Sequence, residues 1–216
     1  PEDRRKHLVK IARKYDLIIV EDDPYGALRY EDEDITPISV MAPERTLYLG
    51  TFSKTLTPGL RIGWIMGPME IIQRLVRAKQ GADLHTSTFD QMIANDIAQR
   101  GILKAHVRRI CNVYHQRRDT MLKALEATWP EDSSWTHPQG GLFLWARVPE
   151  PIDTAKLFPK AVESKVAYVA GVHFFPKADG GHTAMRLNFS NSKPELIETG
   201  IERLGELVRE ELGQTK

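Results

Sequence analysis

Cysteine is almost missing from this sequence: Cys111 is the 1 cysteine in 216 residues. A lone thiol excludes an internal disulfide framework and fits a reducing compartment. An excess of one charge sign is missing too. The 30 lysines and arginines face 29 aspartates and glutamates, a formal net charge of +1, which leaves no bulk electrostatic footprint for nucleic acid. No run approaches the roughly eighteen apolar residues of a membrane-spanning helix. No apolar leader and no initiator methionine stand in the opening PEDRRKHLVKIARKYD, as expected of a processed or truncated chain. Internal repeats and low-complexity tracts are lacking, and the 7 histidines never take the H-x3-H or H-E-x-x-H spacing, so no metal site is expected. With 41% hydrophobic residues and almost no net charge, the chain reads as one or two globular domains with ample length for a core.

Hydrophobic periodicity orders what is present. Leu8, Ile11, Ala12 and Tyr15 keep helical spacing and predict an amphipathic helix, with Glu2 and Asp3 at its positive end. The apolar run 17–20 is too short for a helix and rich in β-branched residues, so it predicts a buried strand of a parallel sheet, bounded by Glu21-Asp22-Asp23-Pro24. Residues 26–45, with Pro37 and Pro43, predict a loop. Strands are predicted at 46–51 and 61–66. The stretch between them is shorter than a parallel crossover needs, so this pair should be antiparallel.

Three helices should follow: from Pro68, with Ile72, Leu75, Val76 and Lys79 in register; over 86–99, with Phe89, Met92, Ile93 and Ile97 on one face; and over 102–128, long enough to bridge two domains. After Trp129-Pro130 the pattern changes to short strands and turns, with strands at 142–145, 166–170 and 184–189. Ser192-Lys193-Pro194-Glu195 reads as a capping box opening a last helix, whose stripe is Ile197, Ile201, Leu204 and Val208. The fold expected is α/β, a mostly parallel sheet with one antiparallel strand, followed by a small α+β unit.

Most of the chemistry sits in 51–64, TFSKTLTPGLRIGW. A lysine just past a strand is ordinarily a solvated loop residue. Here the Thr51 and Ser53 hydroxyls flank Lys54, and Arg61 follows beyond the Pro58-Gly59 bend. Hydroxyls plus an arginine fork make an anion cradle suited to phosphate. A lysine beside a phosphate is either a charge partner or a Schiff-base nucleophile, and spacing leaves both open. Asp22 stands at the carboxyl end of the first strand, where open α/β sheets bind ligands. The run Glu21-Asp22-Asp23 is either a solvated acidic turn or the source of a carboxylate for a cationic ring nitrogen, with Tyr25 within reach of the same ring. Arg186, opening a strand, would by itself pair with a surface acid. Cys111 falls on the apolar side of the long helix, as an inert core thiol.

VEDDPYGALRY, LYLGTFSKTLTPGLRIGW and MRLNFS, in this order, resemble the pyridoxal-phosphate-dependent aminotransferases of fold type I, class I/II, and most of all the 2-aminoadipate/kynurenine-type subgroup. HPQGGLFLW at 137–145 is similar to the family's strand near the substrate. The resemblance covers essentially the whole chain. It implies the C-terminal portion of the family's large cofactor-binding domain over 1–115 and its small C-terminal domain over 116–216. It implies that Lys54 is catalytic and carries pyridoxal 5'-phosphate, and that Asp22 keeps the pyridine nitrogen protonated, an opposite charge at contact shifting a pKa by about 1–3 units. Tyr25 would hydrogen-bond the ring's phenolate oxygen, Thr51, Ser53 and Arg61 would cradle the phosphate, and Arg186 would grip the substrate's α-carboxylate.

The activity so implied is transamination between an amino acid and a 2-oxo acid in a cytoplasmic homodimer, with no nucleic-acid or membrane partner. This chain would be the C-terminal half of a subunit, lacking the family's N-terminal arm, glycine-rich turn and ring-stacking aromatic, and inactive or barely active alone. The alternative is the aminotransferase-like ligand-sensing domain of a MocR-type transcriptional regulator, from which Asp23-Pro24-Tyr25-Gly26 points away. A third expectation is another outcome at Cα, decarboxylation or elimination.

Overall fold

The computed structural model describes residues 1–31, 35–177 and 179–213; positions 32–34 of the predicted loop and 214–216 of the second predicted domain lie outside the described residues. The chain divides into two compact units, Pro1–Ile110 and Cys111–Lys216.

The first unit opens with helix α1 (Glu2–Lys14), strand β1 (Ile19–Asp22), a short helix α2 (Ile38–Met41) and strands β2 (Thr46–Thr51) and β3 (Gly63–Met66). β2 lies between the other two strands, parallel to β1 and antiparallel to β3. The antiparallel partner is the one the short 52–60 connection demands. Val9 and Ala12 of α1 close a core with Ile19 and Ala42. This rotates the predicted face of α1: Val9 is buried, whereas Leu8 and Tyr15 are 42% and 62% exposed. The helix ends where Arg45 Nη1 donates to the carbonyls of Ala12 and Leu17, each at 3.1 Å.

The strand predicted at 17–20 begins two residues later and is buried on one face only. Ile19 and Glu21 point to the core, while Leu17, Ile18 and Val20 are at least half exposed. Nor is Glu21 part of a solvated acidic turn. Its carboxylate is buried, accepting from Arg5 Nη1 and from the backbone N–H groups of Ile38 and Ser39, each at 2.9 Å. Those two N–H groups open α2, so a buried carboxylate nucleates a helical turn inside the predicted loop.

Helix α3 (Met69–Ala82) follows, then α4 (Thr88–Gln99), whose first turn is capped by Ser87 accepting from Asp90 N–H at 3.4 Å. The predicted stripe of α4 splits: Ala94 is buried and Ile93 and Ile97 half-buried, but Phe89 and Met92 are 71% and 66% exposed. Helix α5 (Ile102–Thr128) has the predicted bounds.

The second unit is a four-stranded antiparallel sheet of β4 (Ser134–Trp135), β5 (Phe143–Arg147), β6 (Val169–Ala170) and β7 (Ala184–Asn188), in the order β4-β5-β7-β6. Two helices complete it, α6 (Thr154–Glu163) and α7 (Pro194–Glu211). In α7 the stripe Ile197, Ile201, Leu204 and Val208 is buried as predicted. Gly205 lets it approach the end of α5, since a Cβ there would meet the Thr128 carbonyl at 2.7 Å.

The predicted capping box does not form. Pro194 is the first helical residue and Lys193 the N-cap, with no side-chain cap bond, so Ser192 stands one position too early. Proline's fixed φ suits it to that first position. Helix α6 replaces a predicted turn region. Asp153 caps it, accepting from the N–H groups of Ala155 and Lys156 at 2.9 and 3.3 Å, and Pro159 inside the helix disguises it in the sequence.

Candidate active site

In the first unit the candidate residues gather at one end of the sheet. Asp22 ends β1 in register with Leu49 of β2, and Thr51 follows two residues later. Side chains alternate along a strand, so Asp22, Leu49 and Thr51 share one sheet face, with Thr51 about 7 Å further along. Asp22 is exposed and opens onto a groove of ≈ 720 Å3 lined by Leu49, Ile65, Ile72, Leu75 and Val76.

Beyond Thr51 the chain makes a single helical turn, Leu56 N–H donating to the Phe52 carbonyl at 2.8 Å. The Thr51 hydroxyl pins the start of that turn: it donates to the Ile62 carbonyl, accepts from Ser53 N–H, and touches the Ser53 hydroxyl, each at 3.0 Å. Phe52 N–H reaches the same Ile62 carbonyl at 3.1 Å, closing the 52–62 loop. Lys54 stands on this turn, half-buried, with no hydrogen bond or ion pair among the described residues. Arg61 closes the far side in a left-handed conformation, φ 53°, its Nη1 donating to the Pro58 carbonyl at 3.2 Å. A non-glycine residue held there signals local constraint, frequent at ligand sites.

The neighbouring acids are committed elsewhere. Asp23 accepts from the Tyr48 hydroxyl at 2.9 Å. Burial, reinforced by that bond, pushes the Tyr48 phenol up to about 12. Gly26 makes room for the same carboxylate, because a Cβ there would fall 2.1 Å from Asp23 Oδ2. Tyr25 is half-buried on this turn, and its carbonyl accepts from Leu28 N–H at 2.8 Å.

Arg186 belongs to the second unit, on β7, opposite Trp145 of β5 and Val169 of β6. The surface-acid partner that a strand arginine would ordinarily take is absent among the described residues of this unit. Its Nε is buried without a hydrogen-bond partner. The turn before β5 is anchored by the buried Arg118, which donates to the Pro138 carbonyl at 2.7 Å and to Asp119. Arg117 Nη1 donates to the Ser190 carbonyl just beyond β7. Cys111 is half-buried, and burial pushes its thiol up, away from reactive thiolate.

The profile of the family described as aminotransferase class I and II matches residues 2–204. The chain belongs to the class I and II aminotransferases. It is 50% identical to aromatic-amino-acid aminotransferase 1 of Thermococcus litoralis, over 98% of this chain and 51% of that protein. Its fold matches the multiple substrate aminotransferase of Thermococcus profundus with a TM-score of 0.94 at 45% identity, covering 99% of this chain and 53% of that one. It also matches the α-aminoadipate aminotransferase of Thermus thermophilus complexed with N-(5'-phosphopyridoxyl)-L-leucine, with a TM-score of 0.93 at 35% identity over 99% and 55% of the two chains. The Bacillus subtilis transcriptional regulator YisV is 32% identical over 96% of this chain and 43% of its own length. The chain thus spans about half the length of the curated relatives it matches.

Several residues that brace the candidate residues within each unit escaped the sequence reading. Tyr48 and Arg118 act through partners distant in sequence. Glu21 carried one legible signal, its i+2 alternation with Ile19 onto the inner face of β1.

Proposed function

We propose that the protein carrying this chain is a pyridoxal-phosphate-dependent aminotransferase exchanging an amino acid with a 2-oxo acid. One observation carries the reading. Lys54 stands unpaired on a turn pinned by Thr51, at the same end of the sheet as the unpaired Asp22. The donor set fits the cofactor: two hydroxyls in contact and an arginine for a phosphate, a primary amine for covalent attachment, and a carboxylate free to hold a ring cation. Thr51, Ser53 and Arg61 would hold the phosphate, Asp22 and Tyr25 the ring, and Lys54 the carbonyl carbon.

When bound, the cofactor supplies an electron sink for negative charge developing at the substrate Cα. The chain's own residues do the rest. Arg186 would orient the α-carboxylate, and Lys54 Nζ would remove the Cα proton and redeliver it. The phosphopyridoxyl ligand in the Thermus thermophilus structure supports the cofactor, and the relatives' names support the substrates. The resemblance also carries a homodimer in the cytoplasm; among the described residues no helix is long and apolar enough to cross a membrane. The resemblance likewise divides the chain functionally, the cofactor-binding part running to the middle of α5 and the small domain following.

The test is a visible absorption titration with pyridoxal phosphate, using Lys54→Ala as control. A Lys54-dependent band that bleaches on adding an amino acid supports the assignment, and complete turnovers by Lys54→Ala would sink it. The alternative, the sensing domain of a MocR-type regulator, draws on the 32% identity with YisV. It predicts the same band with no 2-oxo acid released.

A further inference from the structure

What surrounds Arg186 is aromatic. Its guanidinium carbon lies 4.1 Å from the ring centre of Phe143 and 5.1 Å from that of Phe174. Phe174 in turn meets Trp145 edge-on, at 5.2 Å and 86°. Phe143 and Trp145 are two apart on β5 and project from one face of the sheet, the face that also presents Arg186. The three rings and the arginine form one cluster, within which the buried Nε has no acceptor.

Buried arginine nitrogens are ordinarily matched by a carboxylate. Such a partner would orient the guanidinium but also neutralise it, and an incoming carboxylate would have to displace it. A π face works differently. It attracts the cation through the ring quadrupole and leaves the in-plane N–H donors unused. The fork is held in place while its charge and its bidentate edge remain available.

We propose that Phe143 and Phe174 are positioning residues that aim Arg186 at the substrate's α-carboxylate without competing for it, with Trp145 bracing Phe174. The proposal rests on the reading of Arg186 given above. It makes carboxylate affinity depend on ring character rather than on apolar volume.

The holoenzyme tests this with 3-phenylpropanoate, a carboxylate with no amine, followed by titration calorimetry, alongside KM and kcat for an amino acid. Phe143→Leu keeps apolar volume and loses the π face. It should weaken the probe by about three- to thirty-fold, and should raise KM more than it lowers kcat, the pattern of a lost ground-state contact. Phe143→Tyr should bind the probe as the parent does. Urea midpoints of both variants separate a folding defect from a positioning one. Phe143→Leu binding as tightly as the parent would overturn the proposal, as would Phe143→Tyr binding as weakly as Phe143→Leu, or a parent that binds no probe. The underlying reading fails separately: ring-dependent probe binding with no 2-oxo acid formed removes the aminotransferase and leaves the clamp.

Discussion

The Tyr48 hydroxyl donates to Asp23 Oδ2 at 2.9 Å, joining β2 to the turn that follows β1. Together with the three donors gathered on Glu21, this bond commits two of three consecutive acids to structure. Asp22, between them, is left to face the groove. The middle carboxylate is selected by what its neighbours are doing.

The pair has a pH signature. The free phenol titrates near 10.0, and burial with the Asp23 bond raises it to about 12 in the folded chain. A raised pKa means that the folded state keeps its proton longer, so this contribution to stability is whole below pH 10 and is lost as pH climbs towards 12. Tyr48→Phe should cost about 0.5–1.5 kcal/mol at neutral pH. In urea titrations, the gap between parent and variant should narrow once the pH exceeds the free phenol's range.

Asp22 and Glu21, one residue apart, should respond oppositely to amide substitution. Glu21→Gln replaces a buried carboxylate that accepts from a guanidinium and two backbone N–H groups, and should cost about 2–3 kcal/mol of stability. Asp22→Asn, exposed and unpaired, should change stability by less than roughly 0.5 kcal/mol. With pyridoxal phosphate bound, however, it should slow amino-acid-driven bleaching at least about tenfold, the effect of one pKa unit on the ring nitrogen. Paired urea melts and stopped-flow absorbance check both.

Gly50 and Gly59 offer a similar contrast. A Cβ at Gly50 would fall 2.4 Å from the Trp64 ring, which also packs on Phe52 with ring centres 4.8 Å apart. Gly50→Ala should therefore cost about 1–3 kcal/mol by overpacking. At Gly59 a Cβ meets only the Thr57 hydroxyl, at 3.8 Å, and Gly59→Ala should be close to neutral. Thermal unfolding separates the two.

Asp153 tests the helix that the sequence concealed. Partial desolvation pushes its carboxyl up, but the two N–H bonds at the start of α6 and the nearby His182 outweigh it and hold it below 3.8. Asp153→Ala should lower stability by about 1 kcal/mol at neutral pH, and Asp153→Asn by much less, since asparagine also caps. A lowered pKa gives stability that is present above the free carboxyl's pKa and fades as acid takes the pH below it. Parent and Asp153→Ala should therefore converge in acid, which urea midpoints across that range will show.

How far the sequence could be read followed from where burial is periodic. The bounds of α5 and the stripe of α7 were legible because each depends on its own residues recurring between core and solvent. Strand β2 was legible as a short apolar run, its residues after Thr46 being half-buried throughout. The turn bearing Lys54 was legible as a set of residue types. Legibility failed where the partner is distant. Glu21 is buried by Arg5 and by two N–H groups at 38–39, which no local window contains. Phe89 and Met92 look like core by spacing, yet the covered residue of α4 is Ala94. Helix α6 was hidden by Pro159, a breaker in propensity that this helix tolerates with Asp153 fixing its start. The Ser192 signal failed by one position because proline's geometry outranked the hydroxyl. The aromatic setting of Arg186 comes from β5 and from the turn at 171–174, brought together only by the sheet.

The Ile62 carbonyl closes the 52–62 loop by receiving both Phe52 N–H and the Thr51 hydroxyl. A carbonyl has two lone pairs, and here both are occupied. The backbone beneath Lys54 is thus fastened at a single atom by two independent bonds, one from main chain and one from side chain. Travel of the amine then falls mainly to the lysine's own flexible four-carbon stem, which extends from an anchored turn. Its reach is a radius set by covalent geometry and centred on that turn.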